Sequence, residues 1–226
     1  MVFDSGLGVD SSATWAKVQP AVAKFARACI YDRAGTGQSP PTDPPRTSGR
    51  MVAELRKLLD SRGIEPPYVL VGASFGGLNA QLYAANRPTE VAGVVLVDSL
   101  HPDLDRRIAP ILGARAAKAR ERALARNTEG VRFADILRSD DQVRRATRFP
   151  AVPLVVLEHG ISFDPGGKPD PRVERLWTDL QRRLAARSPR GRLVVAERSH
   201  HRIAEDQPAL VVAAIRSVLD DARRRE

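Results

Sequence analysis

Tyr68-Val69-Leu70-Val71-Gly72-Ala73-Ser74-Phe75-Gly76-Gly77 is the stretch on which the reading of this chain turns. Residues 68–71 are apolar or aromatic and predict a short buried strand, and residues 78–86 have helix-forming composition. Between them, residues 72–76 fit G-x-S-x-G, the pattern of a serine raised on a sharp, strained strand-to-helix turn. The glycines have a steric reason, because a side chain at Gly72 or Gly76 would run into neighbouring backbone. A chance match in a glycine-rich loop would lack the strand before it and the helix after it. Ser74 is therefore the candidate nucleophile, projecting from the top of a sheet.

On the amino-terminal side, Met51, Val52, Leu55, Leu58 and Leu59 form a helical stripe, with Thr47 or Ser48 as its N-cap and Gly63 as its stop. Residues 28–31 predict another buried strand, which runs into Asp32-Arg33-Ala34-Gly35-Thr36-Gly37-Gln38-Ser39. Two glycines one residue apart can cradle a phosphate. A dinucleotide site also needs a third glycine and an immediate helix, however, and here Pro40, Pro41, Pro44 and Pro45 follow. Asp32 and Arg33 are instead expected to tie the turn together through a local ion pair and backbone hydrogen bonds. Residues 12–26 carry helical spacing, and Pro20, which lacks a backbone donor, is expected to begin or kink a helical segment there. Residues 2–4 end a strand that enters the turn at 5–8, where the backbone N–H of Leu7 is a candidate oxyanion donor.

On the carboxyl side, residues 91–97 form a near-continuous apolar strand and Asp98 follows directly. Parallel strands all end on one side, so Asp98 shares the rim with Ser74. The alternation of strand and helix predicts an α/β fold, a mostly parallel sheet flanked by helices. From Asp105 to Arg148 the pattern changes: eleven arginines and Lys118 stand against six acids, and strand-like runs vanish. A helical cap is expected at 103–148, inserted into a core made of residues 1–102 and 149–226. Its inner face is expected at Ile108, Ile111, Leu112, Phe133, Ile136 and Leu137. Residues 152–157 restore the strand pattern and end on Glu158, with Asp164 in the loop beyond, and both compete with Asp98 for the role of acid. A last strand at 193–196 leads to His200 and His201, either of which could reach Ser74 as a general base. The closing helix starts at Pro208, a favoured first helical position.

At 226 residues the chain suits one α/β domain with a sizeable core. A single cysteine, Cys29, excludes a disulfide framework. The formal net charge of +9 invites a nucleic-acid partner, but aromatics make up only 5% of residues and the arginines alternate with acids and alanine. A solvated basic surface is the expectation, with no nucleic-acid partner. No apolar run is long enough to span a membrane and no leader pattern opens the chain, so a cytoplasmic protein is expected unless a targeting segment precedes Met1. The four histidines, His101, His159, His200 and His201, lack metal-ligand spacing, and no metal is expected.

Taken in order, the turns at 5–8 and 32–39, the run 72–77, Val97-Asp98-Ser99 with His101-Pro102-Asp103, and His201 before Asp206-Gln207-Pro208 resemble the α/β-hydrolase fold superfamily over nearly the whole chain. The resemblance implies Ser74 as nucleophile and the backbone N–H groups of Leu7 and Phe75 as the oxyanion hole. It favours His201 over His200 as base, since the position before the base is often a small residue. Relatives place the acid after the strand that ends at Leu157 or one strand earlier. Asp98 is assigned, with Glu158 and Asp164 as alternatives. Ala73 stands where histidine is common. A serine at the elbow argues against epoxide hydrolase and haloalkane dehalogenase chemistry, which need a carboxylate there. The implied activity is cleavage of a small carboxylic ester or related acyl bond through an acyl-enzyme, without a cofactor. Carboxylesterase comes first, and lactonase, thioesterase or carbon–carbon hydrolase belong to the same class. The alternative is a non-catalytic scaffold that binds a ligand. Relatives usually carry two further strands before the one that enters the oxyanion turn. Residues 28–31 should thus form an open edge, to be covered by chain upstream of Met1 or by a homodimer.

Overall fold

Among the described residues, six parallel strands build the sheet: β1 (Val2–Asp4), β2 (Cys29–Ile30), β3 (Tyr68–Ala73), β4 (Val91–Val97), β5 (Leu154–His159) and β6 (Gly191–Ala196), in the spatial order β2-β1-β3-β4-β5-β6. The computed structural model describes residues 1–162 and 170–224. Helices α1 (Ser11–Trp15), α2 (Gln19–Ala23) and α3 (Ser48–Ser61) precede β3, and α4 (Phe75–Asn86) connects β3 to β4. Helices α5 (Leu104–Leu124) and α6 (Phe133–Arg145) lie between β4 and β5, and α7 (Pro171–Ala185) leads to β6. The chain closes with α8 (Ile203–Asp206) and α9 (Pro208–Arg223). None of the helices among the described residues is long and apolar enough to cross a membrane.

The central strands are apolar throughout because helices cover both of their faces. Leu70, Val94, Leu96, Leu154 and Val156 point to one side, where Met51 and Leu55 of α3, Leu78 and Leu82 of α4 and Ile136 of α6 meet them. Their neighbours Val69, Val71, Val95, Val97, Val155 and Leu157 point to the other, against Trp15, Val22, Ile203, Val211, Ile215 and Val218. This is the period-2 alternation of a strand expressed in two cores rather than in one core and a wet face. Phe3 and Trp15 meet edge to face at 5.2 Å between ring centroids, a geometry that adds about 0.5–1.5 kcal/mol beyond the area it buries. Register then sets the rim. Ala73 pairs with Val97 and Val97 with Leu157, so Ser74, Asp98 and Glu158 each follow one step later along the same edge.

Three local expectations become specific. Strand β2 is only Cys29–Ile30, and it forms the sheet edge beside β1. The helical pattern at 12–26 resolves into two five-residue helices, and Pro20 opens the second, the first of the two roles expected of it. Within 103–148, α5 is interrupted at Gly113 (φ 74°, ψ 164°), and the expected inner face divides. Ile108 packs with Leu104 against Leu176 and Leu180 of α7, Ile136 joins the sheet core, and Leu137 is 38% exposed. The residues expected at the inner face are thus divided among packing on α7, the sheet core and solvent. They do not form one face turned toward the rim.

Candidate active site

Ser74 stands between the end of β3 and the first turn of α4 with φ 51° and ψ −117°. A non-glycine residue in such a conformation costs on the order of 1–3 kcal/mol, so its surroundings must hold it there. Three backbone hydrogen bonds do so. Ser74 N donates to Val97 O (3.0 Å), and Ser74 O accepts from Gly77 N and Leu100 N (both 3.1 Å). The glycines leave room for the turn to close: a Cβ on Gly72 would lie 2.6 Å from Gly76 O and Gly77 Cα, and one on Gly76 would strike the carbonyls of Asp4 and Ser5. Phe75 is the first residue of α4, and its N–H therefore has no acceptor within the helix. The turn at 5–8 comes directly alongside, since a Cβ on Gly6 would sit 3.6 Å from Ser74 Cβ.

Asp98, after β4, also holds a positive φ (44°) and has no exposed surface. Its carboxylate gathers four donors. Oδ1 accepts from His159 N (3.1 Å) and Trp177 Nε1 (3.0 Å), and Oδ2 accepts from His159 Nδ1 (2.8 Å) and His201 Nδ1 (2.6 Å). Burial alone would raise its pKa, but the hydrogen bonds from His159 and His201, with the charge of His159, outweigh burial and hold it below the ordinary carboxylate value. His159 has a carboxylate on each ring nitrogen, with Glu174 Oε2 3.2 Å from Nε2. Both nitrogens must then carry protons. Against the opposing effect of burial, the bonds to Asp98 and Glu174 raise its pKa to about 9. Trp177 packs beside both imidazoles, at 5.6 Å from the ring of His159 and 6.4 Å from that of His201.

Ser74 and His201 line one cavity of about 410 Å³. The turn at 6–9 forms one wall, Ala123, Leu124 and residues 126–128 a second, and residues 202–205 a third. The size is that of a small-molecule site, and its lining mixes apolar residues such as Leu7, Val9, Leu124 and Ile203 with polar ones such as Thr14, Arg126, Arg202 and Glu205. His201 is held from below. Ser199 N donates to Ala196 O (3.0 Å), Ser199 O accepts from Ile161 N (3.0 Å), and Ser199 Oγ donates to Asp206 Oδ2 (2.9 Å).

The profile of the alpha/beta hydrolase fold family matches residues 2–149. The chain belongs to that family. Among curated proteins, it is 28% identical over 227 residues to the uncharacterized protein YqjL of Bacillus subtilis, across 96% of this chain and 82% of that protein. Other curated relatives match over only 36–46% of this chain and 14–38% of their own length. Among solved structures it is similar to a thermophilic esterase from Thermogutta terrifontis (TM-score 0.63, 19% identity, 98% of this chain and 89% of that one). It is also similar to the enol-lactonase of Burkholderia xenovorans (TM-score 0.66, 18% identity, 97% and 90%). At these identities the structural likeness speaks for the fold.

In this alpha/beta hydrolase fold the residues singled out from sequence are distributed unevenly. Ser74, His201 and Leu7 line the cavity, Phe75 opens the helix beside it, and Asp98 lies behind His201. Glu158 does not reach them. It neighbours His159 on β5, so the two side chains take opposite faces, and its Oε2 has no hydrogen-bond partner among the described residues. Asp164 lies outside the described residues. His200 turns away, with Nδ1 3.2 Å from Ser162 O. The expected backbone hydrogen bonds tie the turn at 32–39, with Gln38 N donating to Asp32 Oδ2 (3.2 Å) and Thr36 N to Arg33 O (2.9 Å). The expected local ion pair is replaced: Asp32 also accepts from Ser11 N (3.1 Å), whereas Arg33 is buried between Asp4 and Glu129. His159, Trp177 and Glu129 escaped the sequence reading. His159 alone left a signal, a histidine at the carboxyl end of a parallel strand.

Proposed function

We propose that this chain is a serine hydrolase that cleaves a small carboxylic ester or lactone through an acyl-enzyme, with Ser74, His201 and Asp98 as its triad. The observation that carries the reading is the 2.6 Å contact between His201 Nδ1 and Asp98 Oδ2 in a histidine that shares a cavity with the strained Ser74. A carboxylate only accepts, so Nδ1 carries the proton and Nε2 keeps the lone pair that a general base needs. Ser74 Oγ attacks the carbonyl carbon while its proton passes to His201 Nε2, and the imidazolium is stabilised by Asp98. The carbonyl oxygen becomes an oxyanion that accepts from the N–H groups of Leu7 and Phe75, each donor being worth about 3 kcal/mol in sites of this kind. Collapse of the tetrahedral species expels the alcohol, which takes the proton from His201. Water then repeats the sequence on the acyl-enzyme and releases the acid.

The two solved relatives, an esterase and an enol-lactonase, support acyl substrates of this class. The cavity volume of about 410 Å³ supports a small one. A fluorophosphonate probe tests the reading. The folded chain should be labelled at Ser74, with labelling abolished by Ser74→Ala and reduced by His201→Ala. Absence of labelling, or labelling indifferent to both changes, would favour a ligand-binding scaffold instead.

A further inference from the structure

The turn that carries Leu7 does not hold itself. Two of its carbonyls and its last N–H are bound by two side chains from elsewhere. Arg33 Nη1 donates to Ser5 O (2.7 Å) and Arg33 Nη2 to Gly6 O (2.6 Å), while Gly8 N donates to Glu129 Oε1 (2.6 Å). Glu129 also takes Arg33 Nε on Oε2 (2.9 Å) and Arg33 Nη2 on Oε1 (2.5 Å), a two-pronged pairing of fixed geometry. Arg33 reaches Asp4 on its other side, and Asn79 Nδ2 of α4 donates to Asp4 Oδ2 (3.0 Å). Arg33 and Glu129 are 5% and 2% exposed, so these bonds form away from water and are strong.

The consequence lies in one peptide group. Gly6 C=O and Leu7 N–H belong to the same planar trans amide and point in opposite directions. When Arg33 holds Gly6 O, it sets the direction of the Leu7 N–H. Glu129 in turn sets Arg33 and anchors the far end of the turn at Gly8.

Glu129 follows residues 126–128, which form a wall of the cavity. Its backbone is pressed against the turn after β2, where a Cβ on Gly35 (φ 87°) would lie 2.9 Å from Glu129 Cα and Thr128 O. Asn127 makes this segment rigid, with Nδ2 donating to Leu124 O and Val131 O (both 2.7 Å) and Oδ1 accepting from Val131 N (3.0 Å).

We propose that Glu129 and Arg33 are positioning residues for the Leu7 N–H, and that Glu129 joins the cavity wall to the oxyanion turn so that the two are formed together. This rests on the hydrolase reading above.

The test compares the wild type with Glu129→Gln and Glu129→Asp on a chromogenic ester and on the matching thionoester, whose developing sulfur anion is a poor acceptor for N–H donors. Glu129→Gln keeps Asp4 as the counter-ion of Arg33. Thermal melting establishes the temperature at which each variant is folded. The expected result is a fall of about 10–100-fold in kcat for the ester with KM changed less than about threefold, a smaller fall for the thionoester, and partial recovery in Glu129→Asp. If the Gln variant fails to fold, Glu129→Asp carries the same comparison, because its shorter arm keeps the charge but draws back from Gly8. An unchanged kcat, or equal losses on ester and thionoester, overturns the proposal while the wild type still reacts through Ser74. A wild type that a fluorophosphonate does not label overturns the hydrolase reading and this proposal with it.

Discussion

Asp98 receives two imidazoles, an indole and a backbone N–H on one carboxylate, and this makes it the most constrained acid on the rim. An amide at this position would turn a donor toward His201 or His159 and force the wrong tautomer. Asp98→Asn is therefore expected to lower kcat by a factor on the order of 10³–10⁴ in steady-state ester hydrolysis, whereas Glu158→Gln should stay within about twofold. The reverse pattern would move the acid role to Glu158. His159 offers a second measurement. Its pKa rises from an ordinary 6.5 to about 9, so its stabilisation is complete below pH 6.5 and is lost as pH rises through 9. His159→Gln should lower the melting temperature at pH 6 and lower it much less at pH 10. Equal losses at both would mean that packing, not charge, is what His159 supplies. The sequence made His159 visible as a strand-end histidine, but its partners come from β4 and α7, and nothing in local spacing joins them.

At the scale of elements, the strand–turn–helix of β3 and α4 was readable because every part of it is local. Glycines at 72 and 76, an apolar strand before and a helix after are all written within about twenty residues. The segment of α5 and α6 is the opposite case. Its helical character could be read from composition, but an Ala/Arg-rich helix has several faces of similar polarity, and packing chose among them. Ile108 went to α7 and Leu137 to solvent. The same packing buried Asp140 of α6, which is 2% exposed. Burial first, and then the charge of Asp105, push its pKa from 3.8 up to about 8. A carboxyl raised in this way contributes stability below pH 3.8 that is lost as pH rises through 8, because the unfolded chain ionises first. Asp140→Asn should gain over the wild type as pH rises from 4.5 to 8.5, by about 2–4 °C in melting temperature. A constant difference across that range would show that Asp140 does not titrate in the folded protein.

For the molecule as a whole, the net charge of +9 is the property most open to misreading. Many of the arginines that produce it are engaged. Arg106, Arg107, Arg120, Arg132, Arg138 and Arg144 each stand within ion-pair distance of an aspartate. The exposed pairs among them, such as Arg106 with Asp141 and Arg107 with Asp179, add at most about 1 kcal/mol each to stability, and each sets an acid beside a guanidinium that a phosphate would otherwise have to itself. Retention on a DNA column should accordingly vanish by about 0.15 M salt, where exposed charges are screened beyond roughly 8 Å. A complex that survives that ionic strength would overturn this view of the surface.

Sequence alone determined the strand and helix segments, the elbow and the candidate nucleophile, because each is written in a pattern of residues close along the chain. A strand period of two with apolar residues on both faces announces a covered parallel sheet, and the register of such a sheet places Ser74 and Asp98 on one rim. Tertiary structure alone decided which acid meets His201, that His159 and Trp177 share it, and that Arg33 leaves its neighbour Asp32 for Asp4 and Glu129. A buried charge needs a partner at short range, and the partner is whatever the folded chain brings there. For Arg33 that partner lies 96 residues away, and no spacing rule reaches so far.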